Sequence, residues 1–172
     1  MQRRSALKNV VAALGGMVAL PAWATGWTPE SLGPVSGLAS TEEALLAEIV
    51  ETIIPETSTP GAKSLKVHQY AMRMITDCYG ETAQVNLKQG LVLVDQNARQ
   101  AYNKTFAECD ARQRLDTLSK MKDSSDPGAK QFVGMVKSLT IQGYMNSEYV
   151  QMNVRGYNMA PGFFHGCVPL KK

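Results

Sequence analysis

The stretch LLAEIVETIIPETSTPGAKSLKVHQYAMRMITDCY, residues 45–79, decides the fold. Leu45, Leu46, Ile49, Val50, Ile53 and Ile54 recur at the three- and four-residue spacing that gathers side chains on one face of an α-helix. Ser40 with Glu43 three residues on reads as a capping box at its start. Pro55 cannot continue the helix, because it has no N–H to donate and its ring clashes with the preceding turn. Val67, Tyr70, Ala71, Met74, Ile75 and Cys78 make the matching stripe of a second helix. Between the two, Pro55 and the run Thr59-Pro60-Gly61-Ala62 predict an ordered corner rather than a loose tether. At the least, this is a helical hairpin that packs a core.

Downstream the helical period persists. Ala83–Asn103 carries Leu87, Leu91, Val94, Ala98, Ala101 and Tyr102 on one stripe, with Gly90 as a mild weakness. A shorter helix begins at Asp110 and carries Leu115 and Leu118. After the polar loop KDSSDPG, residues 122–128, a fifth helix runs from Ala129 with Phe132, Val133, Val136, Leu139 and Thr140 inward. No segment alternates as a sheet strand would. The fold class is therefore all-α: a five-helix bundle over residues 40–143. From residue 144 to 172 the chain becomes rich in methionine and aromatic residues, is punctuated by glycine, and loses the helical period. Tyr157, Met159, Phe163 and Phe164 make this an irregular C-terminal strap. Such residues are favoured at the cores of protein interfaces. The strap either wraps its own bundle or docks on another protein, and the two are compatible.

Upstream lies a different kind of segment. Residues 1–24 have a basic start, an apolar run from Val10 to Leu20 and the small-x-small site Ala22-Trp23-Ala24, the organisation of an export signal with cleavage after Ala24. The run is about half the roughly 20 residues that a membrane span needs. Arg3-Arg4-Ser5-Ala6-Leu7-Lys8 resembles the twin-arginine signal, which passes folded proteins across the bacterial inner membrane, with Ala6 where phenylalanine is usual. Arg3, Arg4 and Lys8 also account for the formal charge of +3: the rest of the chain balances 15 basic against 15 acidic residues. A neutral domain offers no electrostatic footprint for nucleic acid. Residues 25–39, rich in Gly, Pro, Ser and Thr, read as an extended N-terminal arm. A small cofactor-free domain has no evident need of a route for folded cargo, whereas a flavoprotein loaded in the cytoplasm does. The leader thus points to a folded partner carried along, and to the twin-arginine translocase as the receptor of Arg3 and Arg4.

The sequence carries no recognisable catalytic motif: no C-x-x-C-H, no G-x-G-x-x-G, no P-loop and no nucleophile elbow. Its two histidines, His68 and His165, have no ligand set around them at metal-binding spacing; His68, at a helix start, reads as a solvated or capping residue. No catalytic, cofactor-binding or metal-binding residue is assigned. Of the three cysteines, Cys78 and Cys109 flank the third helix and stand too far apart for a bridge. Cys167 is left as the possible partner of either, with three free thiols as the alternative.

Beyond this, ETIIPETSTPGAKSLKVHQYAMRMITDCY resembles the opening of the gluconate 2-dehydrogenase subunit 3 family, and GYMNSEY and PGFFHGCVPL resemble its closing pattern. The resemblance covers residue 40 to the C-terminus. It implies a non-catalytic small subunit that accompanies a large FAD-bearing subunit of the glucose-methanol-choline type, with a multihaem cytochrome c as a possible third subunit. The complex would sit in the periplasm, associated with the membrane through its partners, and would oxidise gluconate or a related sugar acid or polyol. Among the site residues, the resemblance implies a Cys78–Cys167 disulfide; the candidates for the partner interface are Pro60 and Gly61 in the corner and the apolar Tyr157, Met159, Phe163 and Phe164 in the strap. The alternative from a different class is a free-standing periplasmic enzyme or ligand-binding module.

Overall fold

Five α-helices form where the apolar spacing puts them. The computed structural model describes residues 38–158, 160 and 162; the leader with Arg3, Arg4, Ala22 and Ala24, the arm to residue 37, and Met159, Phe163, Phe164 and Cys167 lie outside the described residues. The helices are α1 (Ser40–Ile53), α2 (Val67–Cys78), α3 (Glu81–Tyr102), α4 (Ala111–Asp123) and α5 (Pro127–Met145). A short 3-10 turn, Phe106–Glu108, joins α3 to α4, and a π-helical turn, Val150–Val154, follows α5. No strand occurs among the described residues, and no described helix is long and apolar enough to cross a membrane.

The helix ends show the local chemistry that starts and stops them. Ala39 rather than Ser40 is the first cap of α1, and Glu42 rather than Glu43 reaches back to accept its N–H at 2.9 Å, because Ser40 is already inside the first turn. Ile54 turns to extended backbone (φ −130°, ψ 89°) before Pro55, as the proline ring requires. Asp110 and Gln113 cap α4 reciprocally at 2.8 and 3.1 Å. Asn103 closes α3 in the left-handed region (φ 54°), its N–H on the Arg99 carbonyl. Pro127 occupies the first turn of α5, where its missing N–H costs nothing, and Asp126 accepts from Gly128 N.

Helix α5 is the hub and packs against the other four. Phe132, fully buried, lies on Gly90 of α3: a Cβ there would fall 2.0 Å from the ring. The mid-helix glycine that reads as a weakness in the sequence is thus the seat of one of the two fully buried phenylalanines. Gly143 plays the same part against α2, where a Cβ would meet Tyr70 at 2.7 Å and Val67 at 2.9 Å, so the end of α5 lies at the beginning of α2. Three expected core positions face outward, the first being Ala101 on the last turn of α3. Leu115 is 57% exposed, because Thr117, Leu118 and Met121 set the buried arc of α4 and Leu115 stands about 110° from its centre. Cys78 is the exposed last residue of α2.

Candidate functional site

The corner between α1 and α2 is built on Glu51. Its carboxylate spans the loop, accepting from Glu56 N at 2.7 Å and from Lys63 N at 2.9 Å. Gly61 lies directly beneath: a Cβ there would meet the two carboxylate oxygens at 2.5 and 2.6 Å and Glu56 N at 2.6 Å. Backbone bonds close the rest, with Ala62 N on the Ile54 carbonyl at 2.9 Å, Val67 N on the Ala62 carbonyl at 3.0 Å, and Thr57 N on the Thr59 carbonyl at 3.0 Å. Ala62 is fully buried. Pro60 is half-buried, and its carbonyl accepts the Tyr144 hydroxyl from the end of α5 at 3.0 Å.

One turn before Glu51, Glu48 ties the corner to the bundle. It accepts Lys63 Nζ at 2.5 Å on one oxygen and Arg114 Nη1, from α4, at 2.6 Å on the other. Arg114 also donates to the Ala107 carbonyl at 2.7 Å and lies over the Phe106 ring, 5.8 Å from its centroid. Burial alone would raise the Glu48 carboxyl pKa; the hydrogen bonds and charges of Lys63 and Arg114 outweigh it and hold the group below the usual range. These interactions join α1, the corner, the 3-10 turn and α4. What the corner presents outward is Glu56, Thr57, Ser58 and Thr59, all exposed.

At the far end of α5 several large apolar side chains are exposed, with polar neighbours such as Gln142, Asn146 and Glu148 between them. Ile141 (44% exposed) and Met145 (37%) stand one turn apart, and beyond them Met152 (58%) and Val154 (66%) of the π-helical turn and Tyr157 (59%) just after it are exposed. That turn is held against α5 by Gln151, whose side chain donates to the Met145 carbonyl at 2.7 Å and whose carbonyl accepts Tyr157 N at 2.8 Å. Only Val150 of the turn is buried. Since Tyr144 bonds to the corner and Met145 follows it, the polar corner and the apolar end adjoin.

The remaining chemistry is sparse. His68 is more enclosed than its place at a helix start suggests: its side chain is 12% exposed, Nε2 is 3.7 Å from Glu43 Oε1, and Nδ1 is buried without a partner. Burial lowers its pKa and favours the neutral ring. Among the described residues no group of three His, Cys, Asp or Glu side chains could hold a metal. Cys109 is buried, which pushes its thiol up, and Cys78 is exposed and makes no bridge to Cys109. The 22 residues of α3, about 33 Å of helix, separate them. A pocket of about 420 Å³ between α3, α4 and the start of α5 has a mixed lining, with Asn97, Gln100, Lys120 and Asp126 among its polar residues and Leu93 and Met121 among its apolar ones.

Of the residues singled out from the sequence, Pro60, Gly61, Tyr157 and Cys78 can be located. Pro60 and Gly61 are brought together with Tyr144, Tyr157 sits on the apolar end, and Cys78 stands at the end of α2 away from both. Glu48, Glu51, Arg114 and Tyr144 were not singled out. The acids had a legible signal, a pair three residues apart on the polar side of α1. Arg114, 66 residues from Glu48, had none.

Residues 40–162 match the family model described as Gluconate 2-dehydrogenase subunit 3. No curated protein and no solved structure matches the chain.

Proposed function

The chain belongs to the gluconate 2-dehydrogenase subunit 3 family, and we propose that it is the non-catalytic small subunit of a periplasmic FAD-dependent dehydrogenase acting on gluconate or a related sugar acid or polyol. The family's description names a subunit, which implies a multi-subunit dehydrogenase. The observation that carries the reading is the extent of the match, which spans all five helices, the corner and the π-helical turn. The apolar end of α5 supports it. Five large apolar side chains are exposed between residues 141 and 157, and such side chains gain from being covered.

In this reading the flavin belongs to a large subunit of the glucose-methanol-choline type, a multihaem cytochrome c is a possible third subunit that would hold the complex at the membrane, and no residue of this chain contacts the reacting atoms. The leader carries the assembled pair through the twin-arginine translocase. Cys167, held to Cys78, would bring the end of the strap back to the second helix.

Co-purification tests this. A C-terminally tagged chain isolated from its native host should bring a large subunit with it, and the absorption spectrum should show flavin bands, joined by haem bands if a cytochrome is present. Changing Arg3-Arg4 to Lys-Lys should hold both chains in the cytoplasm. A chain that purifies alone, without flavin, would remove the basis of the proposal.

A further inference from the structure

We infer that the pocket between α3, α4 and the start of α5 is a binding site for a small uncharged polyhydroxylated molecule, a sugar or a sugar alcohol. Its volume of about 420 Å³ lies inside the range of about 300–1,000 Å³ that small-molecule sites occupy. Asn97 and Gln100 enter its lining from α3, three residues apart, and neither amide has a partner among the described residues. Ser124 lines it from just past α4, and its hydroxyl oxygen is buried with no hydrogen-bond partner among the described residues. A buried hydroxyl left unpaired is costly, and folded proteins leave few of them. That unpaired group is what points to a ligand.

The chemistry of the lining selects the class. An amide both donates and accepts, and so does a hydroxyl. Thr117 spends its hydrogen on the Gln113 carbonyl at 2.8 Å, so its oxygen remains an acceptor. A ligand that answers such groups must itself donate and accept at several points around a small frame, as neighbouring hydroxyls do. Leu93 and Met121 add apolar surface that suits the C–H side of a ring or carbon chain.

The charges in the lining are already answered. The Lys120 ammonium lies 2.6 Å from the Asp116 carboxylate, so an anionic ligand gains little from it. Asp126 caps α5, accepting Gly128 N at 2.9 Å at the positive end of that helix, so a cation gains little there. An uncharged ligand is the one that loses nothing. The 19 residues of α5 span about 28 Å, with the pocket at the beginning and Met145 at the end. A sugar here and a partner there do not compete, and the inference does not rest on the subunit reading.

The test is an amide NMR titration of the full chain with sorbitol and with glucose, in the millimolar range where weak sites saturate. Saturable shifts confined to residues 93–101 and 117–129 are expected with at least one of the two. Ser124→Ala should weaken that binding by about threefold or more while the chain remains as stable as wild type. The double variant Asn97→Leu, Gln100→Leu should weaken it by about tenfold or more. Should the double variant fail to fold, Ser124→Ala alone decides. Gluconate, which carries a carboxylate where sorbitol has a terminal alcohol, should bind no more tightly than sorbitol. A preference for gluconate of about tenfold overturns the uncharged class. No saturable shift with either probe, shifts scattered over the bundle, or wild-type affinity in Ser124→Ala overturns the site, and water then answers the buried hydroxyl.

Discussion

The corner at residues 54–63 and the turn at residues 150–157 adjoin through Tyr144, yet their side chains are used in different ways. In the corner, Glu51 holds two N–H groups, Gly61 leaves room for that carboxylate, Ala62 is buried, and the Pro60 carbonyl is bonded to α5. In the turn, backbone bonds are made but Met152, Val154 and Tyr157 are each more than half exposed. A recognisable sequence pattern is therefore not the same thing as a contact surface. The T-P-G-A run is accounted for within this chain, whereas the apolar end has nothing of its own described residues to cover it.

The largest effect that separates the two regions should come from glycine. Gly61→Ala forces a Cβ to within 2.6 Å of a backbone nitrogen and displaces the Glu51 carboxylate, so it should destabilise by about 1–3 kcal/mol. Gly134, in the helical interior of α5, has nothing within 4 Å of its Cβ position. Gly134→Ala should stabilise by about 0.5–1 kcal/mol, because alanine loses less backbone entropy in a helix. Urea unfolding of the two variants side by side measures both. A Gly61→Ala protein as stable as wild type would mean that the corner is not the staple the distances describe.

A middle-sized effect should come from the link between the regions. Tyr144→Phe removes the hydroxyl on the Pro60 carbonyl and keeps the ring, and a partly buried hydrogen bond of this kind contributes about 1 kcal/mol. Thermal melting should shift downward by a few degrees. If the corner also loses exchange protection over residues 57–62 while the π-helical turn keeps its own, the bond serves the corner rather than the end of α5.

Much of this architecture was legible from residue order alone. The apolar stripes of α1, α2, α3 and α5 gave four of the five helices and their approximate limits, since period and proline are local signals. Leu115 shows the limit of a short helix: two apolar residues do not define an arc, and its true members include Thr117, whose polarity hides it. Gly90 shows another limit, because a glycine reads as a local weakness until the ring that needs its space is known. The candidate site was legible only as a turn. Its energetics depend on Glu48 meeting Arg114 and on Tyr144 meeting Pro60, pairs separated by 66 and 84 residues, and no local pattern encodes such meetings.

The smallest effect on stability should come from the apolar end, and it is the most informative. Met152 and Tyr157 are 58% and 59% exposed, and Tyr157 contributes its backbone N–H, not its side chain, to the turn. Replacing both with serine removes apolar surface that the folded chain does not bury, so the unfolding free energy should stay within about 0.5 kcal/mol of wild type. Retention of the large subunit should respond very differently. If the end of α5 is the docking surface, truncating two large side chains at the interface should weaken the complex by at least tenfold, because a few such anchors carry most of an interface's energy. The comparison is read from two measurements on one variant: denaturant unfolding of the isolated chain, and the fraction of flavin absorbance that co-purifies with it. Unchanged stability with lost flavin would place the contact at the apolar end. Unchanged stability with full flavin would move it to the exposed rim of the corner, Glu56 to Thr59, the other surface this part of the molecule presents.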